Sequence, residues 1–424
     1  VKSRQAGIIF ILVTVTLDIL AMGLILPVLP RLILDFLGNQ MTSAANWNGW
    51  FALVFALMQF FCSPVLGVLS DRFGRRPIIL LSNLGLGLDY VVMALAPSIS
   101  WLFIGRIISG ITTSSIPTAM AYISDVVPRE KRAGAFGMIG VAFGLGFTLG
   151  PALGGILSKA NPRLAFWVAA GFSLTNWLWG YFFVPESLSK PHRKPVELRR
   201  ANPVGSLVLL RSHPELWQLA TIQFLAYLAH NVFSVWTLYA IYRFAWNQDW
   251  IGYSFMVVGI CAAIVSGGLT GRMVKWVGER RTLYTGQLFG ALGMFSAGLA
   301  RTGTLFLSSI PIISIWNISM PAAQAMMTHR VSEREQGELQ GALQSLRSIT
   351  FIIGPVLFSQ TFRWFIDPKL PVHLPGAPYF LAALLLFIAM MMSTRIRQPE
   401  MDKPGVSHGK EPDFLAPSVV PPEL

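Results

Sequence analysis

Apolar residues along this 424-residue chain gather into runs of about 20, the length a helix needs to cross a bilayer. Short polar or Gly/Pro-bearing stretches separate them. The runs fall at about 7–30, 47–69, 77–97, 99–124, 134–157 and 164–184, and again at about 216–242, 250–271, 282–300, 303–327, 338–362 and 377–394. The pattern predicts an all-α membrane protein with twelve transmembrane helices, six in each half. The tightest split is at 97–100, between the third and fourth runs. No small-residue cleavage site follows the first run, and Pro27 and Pro30 are expected to end it as a retained helix. The stretch 185–213 carries Lys190, Arg193, Lys194, Arg199, Arg200 and Arg211 with four prolines. It reads as a cytoplasmic linker between an N-terminal bundle, 1–184, and a C-terminal bundle, 214–395. Residues 396–424, rich in Pro and charge, read as a disordered cytoplasmic tail.

Composition agrees. Hydrophobic residues make up 53% of the chain, charged ones 12%, and mean hydropathy is +0.56. A soluble domain carries about 25% charged residues. The net charge of +13 raises nucleic acid as a partner, but its placement argues against that. If both termini face the cytoplasm, 24 Lys/Arg lie in inside segments, 7 in outside loops and 2 within helices. That bias orients the chain and places it as a multi-pass protein of the inner (plasma) membrane, in contact with lipid and not with nucleic acid. Cys62 and Cys261 both fall mid-span, which predicts neither a disulfide nor a metal site. No cofactor is expected, and a monomer is.

The two halves repeat. Residues 67–155 recur without a gap 204 positions later: Gly67 meets Gly271, Gly74 meets Gly278, Arg76 meets Arg280, and Gly150-Pro151 meets Gly354-Pro355. Parallel halves of a membrane protein enclose a substrate path between them. The polar residues are not shared. Asp18, Gln59, Asp71, Asp89, Arg106 and Asp125 fall opposite Ile222, Ala263, Lys275, Gly293, Ile310 and His329.

Those unshared residues are the candidates for chemistry. Asp18 and Asp89 lie in apolar runs, where a carboxylate costs about 2.5–3.5 kcal/mol on insertion scales. It is tolerated there if it faces a wet cavity, pairs, or takes up a proton; a structural carboxylate bonded to neighbouring helices is the plainer reading. Arg106, some seven residues into the fourth run, could hold a proton-linked carboxylate, bind substrate or act as a buried counter-ion, and Asp18 could be its partner. Between runs 2 and 3, Gly67 and Gly74 would permit close approach and a tight reversal. Asp71 would cap a helix N-terminus, and Arg72, Arg75 and Arg76 would offer forked donors to Asp125. This is either a gate latch or simply a positively charged inside turn. Gly146, Gly150 and Gly154, with Pro151 and Gly155, put small residues at four-residue spacing, which lets helices pack closely. Arg347 sits about nine residues into the eleventh run, and an Arg at depth points to function, such as meeting an anionic substrate, unless it snorkels. His230-Asn231, with Gln223 and Tyr227 one to two turns earlier, makes a polar stripe suited to a cavity wall, although a lone His is more often a satisfied core residue. Trp236, Trp246 and Trp250 fit an outer aromatic belt.

The run Gly67 to Arg76 resembles the loop between helices 2 and 3 of the major facilitator superfamily. The stretch L-D-I-L-A-M-G-L-I-L-P-V-L-P from Leu17 resembles the first-helix signature of its drug/proton antiporters. Arg106 in G-R-I-I-S-G-I-T resembles their fourth-helix motif, and Gly146, Gly150, Pro151, Gly154 and Gly155 their fifth-helix antiporter motif. A-L-M-Q-F from Ala56, L-D-Y from Leu88, M-P-A-A-Q-A-M from Met320 and Q-G-E-L-Q-G-A-L from Gln336 resemble the bacterial tetracycline/proton antiporters. Similarity runs over about 8–395. The resemblance implies two pseudo-symmetric six-helix bundles and a role for Arg106 in proton coupling. It breaks where those exporters carry an acidic residue in helix 9 and a His and a Gln in helix 8; here stand Gly290, Ala262 and Ser266, which points the expected substrate away from tetracycline.

The resulting expectation is a secondary active transporter. It would export a small amphipathic or anionic compound in exchange for protons by alternating access. Asp18, Asp89 and Arg106 would couple protons, and Gln59, His230, Asn231 and Arg347 would contact substrate. A proton-coupled or facilitative carrier of a metabolite or siderophore is the alternative, and a non-transporting receptor or scaffold on the same fold a second. An enzyme is not expected: no Gly-rich nucleotide loop or nucleophile elbow is present.

Overall fold

The computed structural model describes residues 2–127, 129–188, 191, 193, 209–210, 214–332 and 335–396. Most of the linker expected at 185–213, and all of the tail beyond 396, lie outside the described residues. The first half runs α1 (Lys2–Ile25), α2 (Val28–Phe36), α3 (Met41–Phe73), α4 (Arg75–Leu95), α5 (Ile99–Thr112), α6 (Ser115–Val126), α7 (Arg129–Ala160) and α8 (Pro162–Phe183). The second runs α9 (Pro214–His230), α10 (Trp236–Phe244), α11 (Gln248–Ile264), α12 (Thr270–Leu299), α13 (Gly303–Ile315), α14 (Ser319–Thr328), α15 (Gln336–Ile366) and α16 (Ala377–Ser393). Nine stretches among the described residues are helical, long and apolar enough to cross a membrane. One of them, Gln248–Leu299, is 52 residues long and reverses at Gly278, where φ is +80°. With α8 and α16 beside them, this is consistent with twelve crossings in two six-helix bundles.

The repeat extends to the breaks within helices. Pro27 lacks an N–H and separates α1 from α2, so the chain does not stop at Pro27 and Pro30 as expected but continues as a further helix. Adding 204 to Leu26-Pro27 gives 230–231, where α9 gives way to the 3₁₀ turn Asn231–Val235. The gap between α5 and α6 at Thr113-Ser114 maps likewise onto Trp316–Ile318, a 3₁₀ turn between α13 and α14. Gly74 (φ +112°) and Gly278 are equivalent reversals. These breaks free backbone groups inside the membrane, which is tolerated only where protein or a water-filled space can satisfy them.

Two ends of the molecule can be distinguished. The loop end carries Gly74 and Asp125; the far end carries the start of α3 and the end of α7. Across the halves, α3 packs on α15 and α7 on α11, and the contacts concentrate at the far end. Asn48 donates to the Ser234 carbonyl (3.0 Å) and the Ser359 hydroxyl (3.4 Å), and Gln360 donates to the Asn46 side-chain oxygen at 2.6 Å. Lys159 pairs with Asp249 at 3.0 Å. On the second seam a methyl group placed on Gly155 would sit 2.5 Å from the Gln248 carbonyl, and one on Gly252 2.8 Å from the Pro151 carbonyl. The seam continues as far as Thr148 against Gly259, near mid-helix. Closer to the loop end, Val141 and Leu145 on α7 and Ile264 on α11 are exposed.

The glycines of α7 serve both of its surfaces. A methyl group on Gly150 would lie 2.7 Å from Gly23 Cα, and one on Gly146 2.5 Å from Ile19, so α1 and α7 touch backbone to backbone; Gly154 packs on Leu24. Gly155 faces the other half, and Pro151 touches both, its ring against Gly23 and its carbonyl against Gly252. Gly150→Val should therefore lower the stability of the detergent-solubilised protein by about 1–3 kcal/mol, the usual range for overpacking, read as a lower thermal midpoint. An unchanged midpoint would show that α1 and α7 are not in contact.

Candidate functional site

The first half holds a buried ion pair. Asp89 on α4, fully buried, accepts from Arg106 Nη2 on α5 at 2.8 Å. Gly105 lies directly against Asp89 Oδ1, so only a residue without a side chain fits there. The Arg106 guanidinium also approaches Met93 sulfur (3.6 Å) and stands 5.4 Å from the Phe55 ring centre. Arg106 thus pairs with Asp89 and not with Asp18, because α4 and α5 are packed neighbours. Asp18, 4% exposed on α1, turns instead to α8 and α6: Asn176 donates to its Oδ1 at 3.4 Å, and the Ser115 hydroxyl lies beside it. Thr14 donates to the Asn176 oxygen at 3.0 Å and fixes that amide. Neither carboxylate is fully satisfied. Among the described residues Asp18 Oδ2, Asp89 Oδ1 and Arg106 Nε have no hydrogen-bond partner.

The loop-end cluster is built around Arg75. Its Nη1 meets Asp71 (2.6 Å) and the Ser70 hydroxyl (3.1 Å), its Nε meets Asp125 (3.1 Å), and its backbone N–H donates to Glu186 Oε1 (2.8 Å). Asp71 does not cap a helix as expected. It lies in the last turn of α3 and bonds four residues forward. Arg76 goes to the Tyr181 carbonyl at 2.5 Å and Arg72 is exposed, so one of the three arginines reaches Asp125. Gly74 is pressed against Glu186, whereas a methyl on Gly67 meets nothing within 4 Å; Gly67 makes no close approach here. The segment after α8 completes the cluster: Ser187 donates to Asp125 at 3.0 Å and Tyr122 to the Pro185 carbonyl at 3.0 Å.

The second half offers a different surface. His230, mid-span at the end of α9, is exposed yet ring-packed on Phe233 (5.1 Å between centres) and Trp316 (5.7 Å). Arg347 on α15 is exposed and stands 5.6 Å from the Phe351 ring centre. Asn231 and Gln223 are buried. Asn231 donates to the Tyr227 carbonyl at 2.8 Å and packs on Gly354, so it holds the helix break and does not face a cavity. Gln59 on α3 is half-buried. Trp236 corrects the belt expectation: it is fully buried, donates to Ser254 at 2.9 Å and stacks on Phe233, whereas Trp250 is exposed. Gly290 is occupied in effect by a neighbour; a methyl there would sit 2.9 Å from Trp316.

Asn176, Glu186, Ser187 and Trp316 escaped the sequence reading. Asn176 carried a signal, a lone amide in an apolar run. Glu186 and Ser187 carried none, because their partners lie more than 60 positions away.

The profile of the Major Facilitator Superfamily matches residues 11–355. The chain is 40% identical to the tetracycline resistance protein, class C, of Escherichia coli over 84% of this chain and 89% of that one. Among solved structures it resembles the human organic anion transporter MFSD10 (TM-score 0.67, 24% identity, 92% and 99% of the two chains). It also resembles a bacterial homologue of the human lysosomal transporter Spinster in an inward-facing, unoccupied conformation (TM-score 0.72, 17% identity, 93% and 98%).

Asp89→Ala would strand Arg106 without its counter-ion and should destabilise the protein by about 3–5 kcal/mol. Adding Arg106→Leu should recover most of that loss. Unfolding midpoints of the two single variants and the double variant measure the coupling; additive losses would mean that the pair does not form.

Proposed function

The chain belongs to the major facilitator superfamily, and from that premise we propose that it is a proton-coupled antiporter exporting small amphipathic compounds by alternating access. One observation carries the reading: two buried carboxylates, Asp18 and Asp89, in the first half only, each with one oxygen unpartnered among the described residues. A proton on Asp89 would neutralise the carboxyl group and leave Arg106 as an uncompensated cation, so that proton uptake favours a state in which Arg106 reaches water or another anion. When Asp89 takes a proton, Arg106 is released; when the proton leaves, the pair re-forms. Asp18, held by Asn176, provides a second proton site nearer the loop end of the same bundle: Asn176 lies 14 residues into α8 from the far end, whereas Arg106 lies 7 residues into α5.

The loop end is taken as cytoplasmic, with both termini there, because the Lys/Arg bias favours that face. The far-end seams then close the outer side while the inner side is open. Bundles at 1–184 and 214–395 would rock about these seams, their glycines allowing contact without interlocking side chains. The Arg75 cluster would clasp α3, α6 and the segment after α8 so that the first bundle moves as one body. Kinship with a tetracycline resistance protein supports export of a drug-like compound. Gly290 packed under Trp316 leaves no polar contact for tetracycline at that point.

In proteoliposomes with an imposed pH gradient, Asp18→Asn should abolish gradient-driven uptake into inverted vesicles while leaving equilibrium binding of the same compound. Undiminished gradient-driven flux in that variant would remove Asp18 from the coupling path.

A further inference from the structure

Arg347, deep in the second half, forms no ion pair among the described residues. Arg347 lies twelve residues along α15 from Ser359, the point where α15 meets α3. At 1.5 Å per residue that is about 18 Å below the far-end seam, deep within the span. Among the described residues no carboxylate forms an ion pair with it, and the deep second-half positions opposite Asp89 and Asp18 are Gly293 and Ile222. A guanidinium at that depth is tolerated if it faces water or meets an anion. Arg347 is exposed. It shares a helix face with Gly354, seven residues on, which packs on Asn231 of the α9–α10 break. His230 adjoins Asn231 at that same break. His230 in turn packs on Trp316 from the break between α13 and α14. The exposed Arg347 and the exposed His230 ring therefore lie on helices that meet at the same break, with the buried Trp316 ring packed behind His230. Gln59, ten residues below the Gly49 contact with Ser359 on α3, lies about 15 Å down, at a similar depth on the helix that packs on α15.

We propose that Arg347, with the His230–Trp316 ring pair, forms the anion-recognition end of the substrate site, so that the exported compound is a flat apolar body bearing a carboxylate or sulfonate. This rests on the antiport reading and narrows its substrate. The first half, with Arg106 already committed to Asp89, offers no second free cation among the described residues at this depth. Anion outward and proton inward both carry positive charge inward, so the exchange is electrogenic and an inside-negative potential adds to the pH gradient.

The test uses the full-length protein in phosphatidylcholine nanodiscs and three probes of one shape: 2-naphthoate, 2-naphthamide and 2-naphthylmethylammonium. Calorimetry should show 2-naphthoate bound tightest. Arg347→Ala should weaken 2-naphthoate about 30-fold, the range for a charge-assisted contact, and change the other two less than about threefold. Arg347→Lys should retain part of the preference, and unchanged thermal midpoints show that the variants are folded. Equal loss for all three probes, or a cation bound as tightly as the anion, would overturn the proposal. So would competition by phosphatidylglycerol added to the nanodisc, which would make a lipid phosphate the partner of Arg347. Charge-blind binding by a protein that still exchanges protons would sink this assignment alone. Anion-selective binding without gradient-driven flux of any probe would sink the antiport reading alone.

Discussion

A charge inside an apolar helical bundle must be paired, wetted or neutralised by a proton, and this molecule divides those answers between its halves. Asp89 is paired by Arg106 at 2.8 Å in space made by Gly105. Asp18 is held by an amide and a hydroxyl and keeps one oxygen unpartnered among the described residues. Arg347 is exposed instead. An ion pair of this kind contributes little net stability, because the desolvation of both partners offsets much of their attraction, while breaking it leaves a stranded charge. That asymmetry would make the pair a better switch than a brace: a proton on Asp89 leaves Arg106 charged and unpaired, which favours a rearrangement that brings it to water or another anion.

The second requirement is motion without separation. The seams joining the halves are lined by Gly49, Gly155, Gly252 and Gly259, so helices meet through backbone and small side chains. Few interlocking groups have to be released for such surfaces to tilt. The polar contacts at the seam, Asn48 to Ser234 and Gln360 to Asn46, lie at the end where the halves are shut. The Arg75 cluster joins elements within one half, and it stiffens the body that moves rather than locking it to its partner.

Much of the architecture could be read from hydropathy and the repeat, since apolar runs of bilayer length have few alternatives. The pairing of Arg75 with Asp125 was also legible, from charge and position. Helix interruption was only half so. Pro27 announces one break through its missing N–H, but Asn231–Val235 and Trp316–Ile318 contain no proline, and their positions follow from the repeat alone. The partner of Arg106 was not legible, because α1 and α4 both offered a carboxylate and only packing decides which one is near. Asp71 was misassigned for a local reason: α3 runs on to Phe73, so the residue sits at the C-terminal end of a helix where an N-terminus was expected. Asn231 looked like a cavity residue from its spacing, yet its amide is consumed by the Tyr227 carbonyl.

The central claim is that protonation in the first half drives opposite movements at the two ends. The direct measurement is electron–electron distance spectroscopy on two doubly spin-labelled proteins, with Cys62 and Cys261 replaced by serine. One carries labels at Phe73 and Trp276, exposed at the loop end of each half, and the other at Asn39 and Val372, exposed at the far end. As the pH is lowered from 8 to 5, the loop-end distance should shorten and the far-end distance lengthen. Distances that stay fixed, or that change in the same sense at both ends, would contradict the account.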